Sequence, residues 1–136
     1  MNVPRPIPLP DAVSQGFWDA AARRELAIQR CRDCGTFQHP PRPLCRACGG
    51  AALGFERVSG EGRLWSWTTT HHEVIAGFGP ALPFTCMVIE LPEQAGLYVL
   101  SDLIGREPPP QLRAGMKMRV MFPDGEPMLP QFEPAA

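Results

Sequence analysis

No run of apolar residues in this 136-residue chain approaches the roughly 18 that a bilayer-spanning helix needs, so a membrane protein is not expected. The first residues, MNVPRPIPLPDAV, lack the basic start and apolar stretch of a secretory signal. A chain that stays in the reducing cytoplasm does not keep stable disulfides. Tyrosine occurs once, no internal repeat is present, and nowhere does a nucleophile stand with a matched general base in a recognisable pattern. These absences lead to the expectation of a soluble, cytoplasmic chain without catalytic residues of its own.

The net charge of -1 conceals an asymmetry. Residues 1–50 carry seven Arg/Lys against four Asp/Glu, and residues 51–136 carry six against ten, so the front is basic and the back acidic. A basic front suits phosphates, whether of a nucleotide cofactor or of nucleic acid. The acidic back and the single tyrosine fit poorly with a groove that must track a polyanion and stack successive bases. A nucleic-acid-binding module is therefore the alternative reading and not the favoured one.

Proline at positions 4, 6, 8 and 10 denies the first ten residues regular hydrogen bonding and predicts an extended arm. From Asp11 to Glu25, DAVSQGFWDAAARRE favours helix, with Gly16 weakening its middle. LAIQRC reads as a short strand with Leu26 and Ile28 on one face, and the glycines of GGAALGFERVSGEG mark a boundary near Gly54 to Gly62. Beyond it the period becomes two in RLWSWTTTHHEV, PFTCMVIELP, LYVLSDLI and MKMRVMF, where Met116, Met118, Val120 and Phe122 alternate with Lys117, Arg119 and Met121. The triple proline at 108–110 reads as loop. Four or five short strands in so few residues predict a small OB-like barrel, since a flat sheet would leave two costly edges. A chain of this length makes one domain, or two small ones sharing little core. The expected segments are an arm and helix over 1–25, a ribbon over 26–55 and a barrel over 56–136.

Chemistry concentrates in CRDCGTFQHPPRPLCRACG. Its cysteines form two C-x2-C pairs separated by ten residues, each pair followed by glycine. That spacing places four thiolates around one tetrahedral ion, with Cys31, Cys34, Cys45 and Cys48 as ligands. A ribbon of about 30 residues cannot bury enough core to fold alone, and a structural zinc contributes on the order of 10–16 kcal/mol of apparent binding energy. A redox C-x-x-C belongs at the start of a helix in a strand–helix–strand unit, where neither pair lies. Zinc is the expected ion and iron the runner-up, because four-sulfur geometry alone does not separate them.

Other candidates have simpler readings. His71, His72 and Glu73 read as a solvated strand end, since neighbours on a strand point to opposite faces. His39 is a poor ligand beside four thiols, and Cys86 reads as a small buried hydrophobe. Trp65 and Trp67, two apart, are expected on one strand face, covering the barrel or stacking a ring. Phe17 and Trp18 are expected outside both cores, as a partner-binding patch.

Together FWDAAARRELAIQRCRDCG, HPPRPLCRACG, GRLWSWTTTHH, PFTCMVIEL, AGMKMRVMF and PQFEPA resemble the acyl-CoA-associated zinc-ribbon/OB-fold family, known as domain of unknown function 35. The resemblance covers nearly the whole chain and is most specific from Phe17 to Gly49. It implies a mainly β fold: an N-terminal helix, a rubredoxin-like zinc ribbon and a small OB-fold β-barrel. It further implies a noncatalytic subunit that supports a thiolase-like, aldolase or hydratase enzyme acting on acyl-CoA in lipid, steroid or polyketide metabolism. The four cysteines carry over as metal ligands. Pro40, Pro41 and Arg42 match the family's inter-knuckle linker, where Arg42, and Arg46 in the second knuckle, are candidate coenzyme A phosphate contacts. Arg46 stands where relatives often have proline, which adds a charge to that knuckle. No catalytic residue carries over, because the family has none agreed.

Overall fold

The computed structural model describes residues 4–104 and 111–135; the triple proline at 108–110 lies outside them. Its one α-helix among those residues, α1 (Gln15–Ala22), is shorter than the predicted 11–25 at both ends. At the start, Asp11 Oδ1 accepts from Ser14 N–H and Oγ, both at 2.8 Å, and Ser14 Oγ accepts from Asp11 N–H, so these residues close a turn ahead of the helix. At the end, Arg24 adopts φ +60 and the Glu25 N–H turns back to Ala20 O, while Arg24 N–H reaches Ala21 O. That pair of bonds closes the helix at Ala22, three residues before Glu25. Gly16 has a packing reason: a Cβ there would sit 2.2 Å from the Phe55 ring.

The ribbon follows as β1 (Ala27–Cys31), β2 (Phe37–Gln38) and β3 (Leu53–Arg57), an antiparallel sheet in the order β2-β1-β3. Gly54, taken above as a boundary marker, lies inside β3, where the Arg32 side chain covers it within 2.7 Å of a built Cβ. The barrel strands are β4 (Glu61–Thr70), β5 (Phe84–Glu90), β6 (Tyr98–Asp102), β7 (Lys117–Met121) and β8 (Gln131–Pro134), in the order β6-β5-β4-β7-β8. Burial in β7 alternates as its sequence does, with Lys117 and Arg119 exposed around Met118. The sheet curls until its two edge strands meet. There is no backbone ladder between them among the described residues; Gln131 and Ser101, both buried, bridge the seam instead. Gln131 Oε1 accepts from Asp102 N–H, and Ser101 Oγ accepts from Phe132 N–H at 2.7 Å.

Ribbon and barrel share one core, the first of the two arrangements the length allowed. Phe17, Leu26, Ile28 and Phe37 join Leu64, Met87, Ile89, Leu97, Met118 and Phe132 in a single cluster. The contact is reinforced by Gln94 of the β5–β6 turn, whose amide donates to Phe37 O at 3.0 Å and accepts from Phe37 N–H at 2.9 Å. Each module therefore lends the other an apolar face that it is too small to cover alone.

Candidate metal centre

The two knuckles are built alike. Gly35 N–H bonds Cys31 O and Gly49 N–H bonds Cys45 O, at 2.9 and 2.8 Å; Cys31 N–H reaches Thr36 O and Cys45 N–H reaches Gly50 O, at 2.9 and 2.8 Å. Both turn glycines have positive φ, +79 and +76, which a residue with a Cβ adopts only under strain. The repeated turn aims its two sulfurs at a common point. Cys31 and Cys48 Sγ lie 3.7 Å apart, Cys34 and Cys45 Sγ 3.6 Å apart, and all four sulfurs fall within 4.8 Å of one another.

These distances select the chemistry. A disulfide holds its sulfurs at about 2.05 Å, whereas four sulfurs at about 2.3 Å from one ion stand about 3.8 Å apart along each edge. The observed pairs match the second case, so the four cysteines are spaced to hold one metal ion between them. Backbone N–H groups of Ala47 and Gly50 point at Cys45 and Cys48 Sγ, each at 3.4 Å, and help to carry the charge a thiolate ligand brings. Protons are shared unevenly among the bare sulfurs. The Thr36 hydroxyl and N–H, with smaller help from Cys45 and Cys48, pull Cys34 down to about 6. At Cys48 the Gly50 N–H favours the thiolate, but sharing a proton with Cys31 and Cys34 outweighs it and pushes this thiol up to about 12. Four adjacent sulfurs cannot all ionise without a cation between them, so the site is complementary to a soft divalent ion. Cys31 and Cys45 are buried and Cys34 and Cys48 exposed.

A buried amide pair supports the centre, and the sequence reading missed it. Gln29 and Gln38 are cross-strand partners, 3% and 2% exposed. Gln38 Nε2 donates to Gln29 Oε1 at 2.6 Å and to Leu44 O at 3.2 Å, and Gln38 Oε1 accepts from Arg46 N–H at 3.0 Å. Gln29 meets the N–H and C=O of Arg42, both at 2.9 Å. The amides thus fix the loop between the knuckles and hold both arginines by their backbones. The two guanidinium groups remain exposed, with no ion pair among the described residues.

Phe17 and Trp18 do not stand outside the core. Phe17 is buried within the shared cluster, and Trp18 packs edge-on against it with ring centroids 5.0 Å apart. The His39 ring lies 5.4 Å from Phe17, and its buried Nδ1 has no hydrogen-bond partner. Burial pulls its pKa down to about 4. His39 is therefore packed as a neutral ring rather than held as a ligand.

Trp65 and Trp67 do not share a face. The β4–β5 register slips between Leu64 and Ser66, a bulge that puts Trp67 opposite the fully buried Met87. Trp65 lies on the outer side against Tyr98, centroids 5.4 Å apart. Cys86 is half-buried on the face opposite Met87, and burial, followed by the nearby Asp102 charge, raises its pKa. His71, His72 and Glu73 are all exposed. Among the described residues, no helix is long and apolar enough to cross a membrane.

Against known proteins, the family model for the ChsH2 rubredoxin-like zinc ribbon domain matches residues 18–54, and that for the ChsH2 C-terminal OB-fold domain matches residues 55–122. The chain is 34% identical over 122 residues to a probable enoyl-CoA hydratase alpha subunit of Thermomonospora curvata, covering 88% of this chain and 37% of that one. It is 27% identical over 95 residues to a DUF35 domain-containing scaffold protein of Methanocaldococcus jannaschii, covering 68% and 64%. The chain thus spans about a third of the first relative's length and just under two thirds of the second's. Among solved structures, it superposes on a chain described as Ltp2-ChsH2(DUF35) aldolase with a TM-score of 0.80 and 31% identity, over 96% of this chain and all of the other. A DUF35 protein of Sulfolobus solfataricus shares the fold at a TM-score of 0.60 and 18% identity, over 81% and 78%. With two ChsH2 models meeting end to end at Gly54 and Phe55, over a four-sulfur ribbon and a five-stranded barrel, the chain belongs to the ChsH2 family of DUF35 proteins.

Proposed function

We propose that this chain is a noncatalytic subunit that binds and supports a hydratase, aldolase or thiolase-like enzyme acting on acyl-CoA thioesters. The observation that carries the reading is the end-to-end match to the ChsH2(DUF35) chain of the Ltp2-ChsH2 aldolase structure. The hydratase subunit of T. curvata supports the same class of partner. The nearest candidate nucleophile, Cys86, is held toward its thiol form with no histidine bonded to it among the described residues, which favours a supporting role over a catalytic one.

Zinc is the ion we assign to Cys31, Cys34, Cys45 and Cys48, since a closed four-thiolate site with a small ribbon around it is the structural zinc arrangement. When bound, the ion supplies folding energy and no reactivity, because no coordination position is left open. Arg42 and Arg46, free at their tips and fixed at their backbones, are suited to hold coenzyme A phosphates beside a partner's acyl site. Domain limits of 1–25, 26–55 and 56–136 follow the same division of labour.

The test is to tag the chain in its native host, purify it with whatever enzyme accompanies it, and assay the complex and the isolated chain for acyl-CoA hydration and carbon–carbon cleavage. The complex should turn over substrate while the chain alone is inert. Turnover by the isolated chain, lost on mutating Cys86, would show an enzyme instead. Elemental analysis should find close to one zinc per chain, and a red, iron-containing protein would reverse the metal assignment.

A further inference from the structure

One edge of the barrel carries unused hydrogen-bonding groups beside an apolar groove. In the β5–β6 ladder, Leu91 N–H bonds Leu97 O and Leu103 N–H bonds Thr85 O. With the register Ile89↔Val99 and Met87↔Ser101, these bonds place residues 97, 99, 101 and 103 in the hydrogen-bonded positions of the antiparallel pair. The N–H and C=O groups of Tyr98, Leu100 and Asp102 therefore point away from β5. Those of Asp102 are taken, by Gln131 Oε1 and Ser101 Oγ. Those of Tyr98 and Leu100 have no partner among the described residues, because β6 is an edge strand and β8 meets it only at the Ser101 end.

Tyr98 and Leu100 also line a groove of about 550 Å³ walled by Leu9 of the arm, Trp18 of α1, Pro40 of the inter-knuckle loop and Leu129 before β8. No Asp, Glu, Lys or Arg lines it. Its one titratable side chain apart from Tyr98, His39, is held neutral by its surroundings. Leu9 and Leu100, 83% and 68% exposed, both line this groove, so exposed apolar surface is grouped there. The two free N–H and two free C=O groups are spaced two residues apart, the repeat with which one strand meets the next, and the wall around them is uncharged.

We infer that this edge receives an extended, apolar, uncharged segment of the partner enzyme, which adds a strand to β6 and lays alternate side chains into the groove. The inference rests on the proposed subunit role and specifies how the subunit is held. An acyl chain or other small apolar ligand would fill the groove without using the edge groups, and this separates the alternatives.

Two measurements on the natively purified complex test it. In the isolated chain, the amides of Tyr98 and Leu100 should exchange with solvent deuterium much faster than those of Val99 and Ser101, which β5 and its neighbours hold. In the complex, all four should be protected. Rapid exchange at Tyr98 and Leu100 within an intact complex would overturn the strand-addition mode while leaving the subunit role standing; failure to recover any acyl-CoA enzyme would overturn both. The second measurement uses Leu100→Pro, which removes an N–H that β5 does not use and is tolerated on an edge strand, and Leu100→Ala, which trims the side chain and keeps the N–H. Leu100→Pro should weaken the complex about tenfold more than Leu100→Ala, with both variants melting close to the unmodified chain. Equal weakening by the two would mean that the groove takes side chains or an apolar ligand and that no strand is added.

Discussion

In the barrel, Leu64, Met87, Ile89, Met118 and Phe132 are each at most 1% exposed and meet in one interior. In the ribbon, apart from Ala27 and the three side chains it lends to that interior, the buried groups are Gln29, Gln38, Cys31 and Cys45. The barrel is held by volume filled with hydrocarbon, and the ribbon by a few directional polar contacts and an ion. A module of about 30 residues has too little apolar surface to do otherwise. The two halves should therefore fail differently: the ribbon to chemistry, the barrel to cavities.

The largest effect expected is from removing one sulfur. Cys31→Ser breaks a site whose ion contributes on the order of 10–16 kcal/mol of apparent binding energy. Metal content by elemental analysis should fall toward zero, and amide exchange across β1 and β3 should accelerate. Next is a cavity in the barrel. Phe132→Ala should cost about 3–5 kcal/mol by denaturant titration while the metal content of the folded protein stays unchanged.

A smaller effect lies where the two modules meet. His39 is neutral when folded, with its pKa near 4, whereas in the unfolded chain it takes up a proton near 6.5. The unfolded state thus binds more protons between these values, so the contribution is fully present above pH 6.5 and is lost as the pH falls toward 4. Between pH 7 and 5 the natural chain should lose about 2 kcal/mol more stability than His39→Phe, with metal release common to both. An effect of similar size is expected for the amide pair. Gln38→Leu leaves the Arg46 N–H and Leu44 C=O without partners, for about 1–3 kcal/mol, and should loosen the inter-knuckle loop in amide exchange without lowering the metal count.

The parts legible in the sequence were those governed by local spacing. The two C-x2-C pairs announced four clustered sulfurs, and the charged residues flanking Met118 announced the inward face of β7. What escaped depended on contacts distant in the chain. Phe17 looked surplus because a ribbon and a barrel considered separately have no room for it, yet their shared core does. Gln29 carries no mark that distinguishes a buried amide from an exposed one until Gln38 is paired across from it. The bulge after Leu64 pairs Trp67 with Met87 and separates it from Trp65, although Trp67 stays 39% exposed, and neither tryptophan reveals a register slip by its identity. Asp11 and Ser14 had the chemistry of a cap, but their mutual bonding, which delays the helix to Gln15, is a matter of geometry.

Gln94 has a mechanical consequence. A side-chain amide has one donor side and one acceptor side, like a peptide group, so Gln94 serves the β2 edge as a strand one residue long. It lies in the turn that runs four residues on into β6 at Tyr98, the start of the open edge. Tension applied to the ribbon is thereby loaded onto the same turn that sets the pitch of that edge, and the stiffness of the metal knuckles becomes a property of the surface offered to a partner.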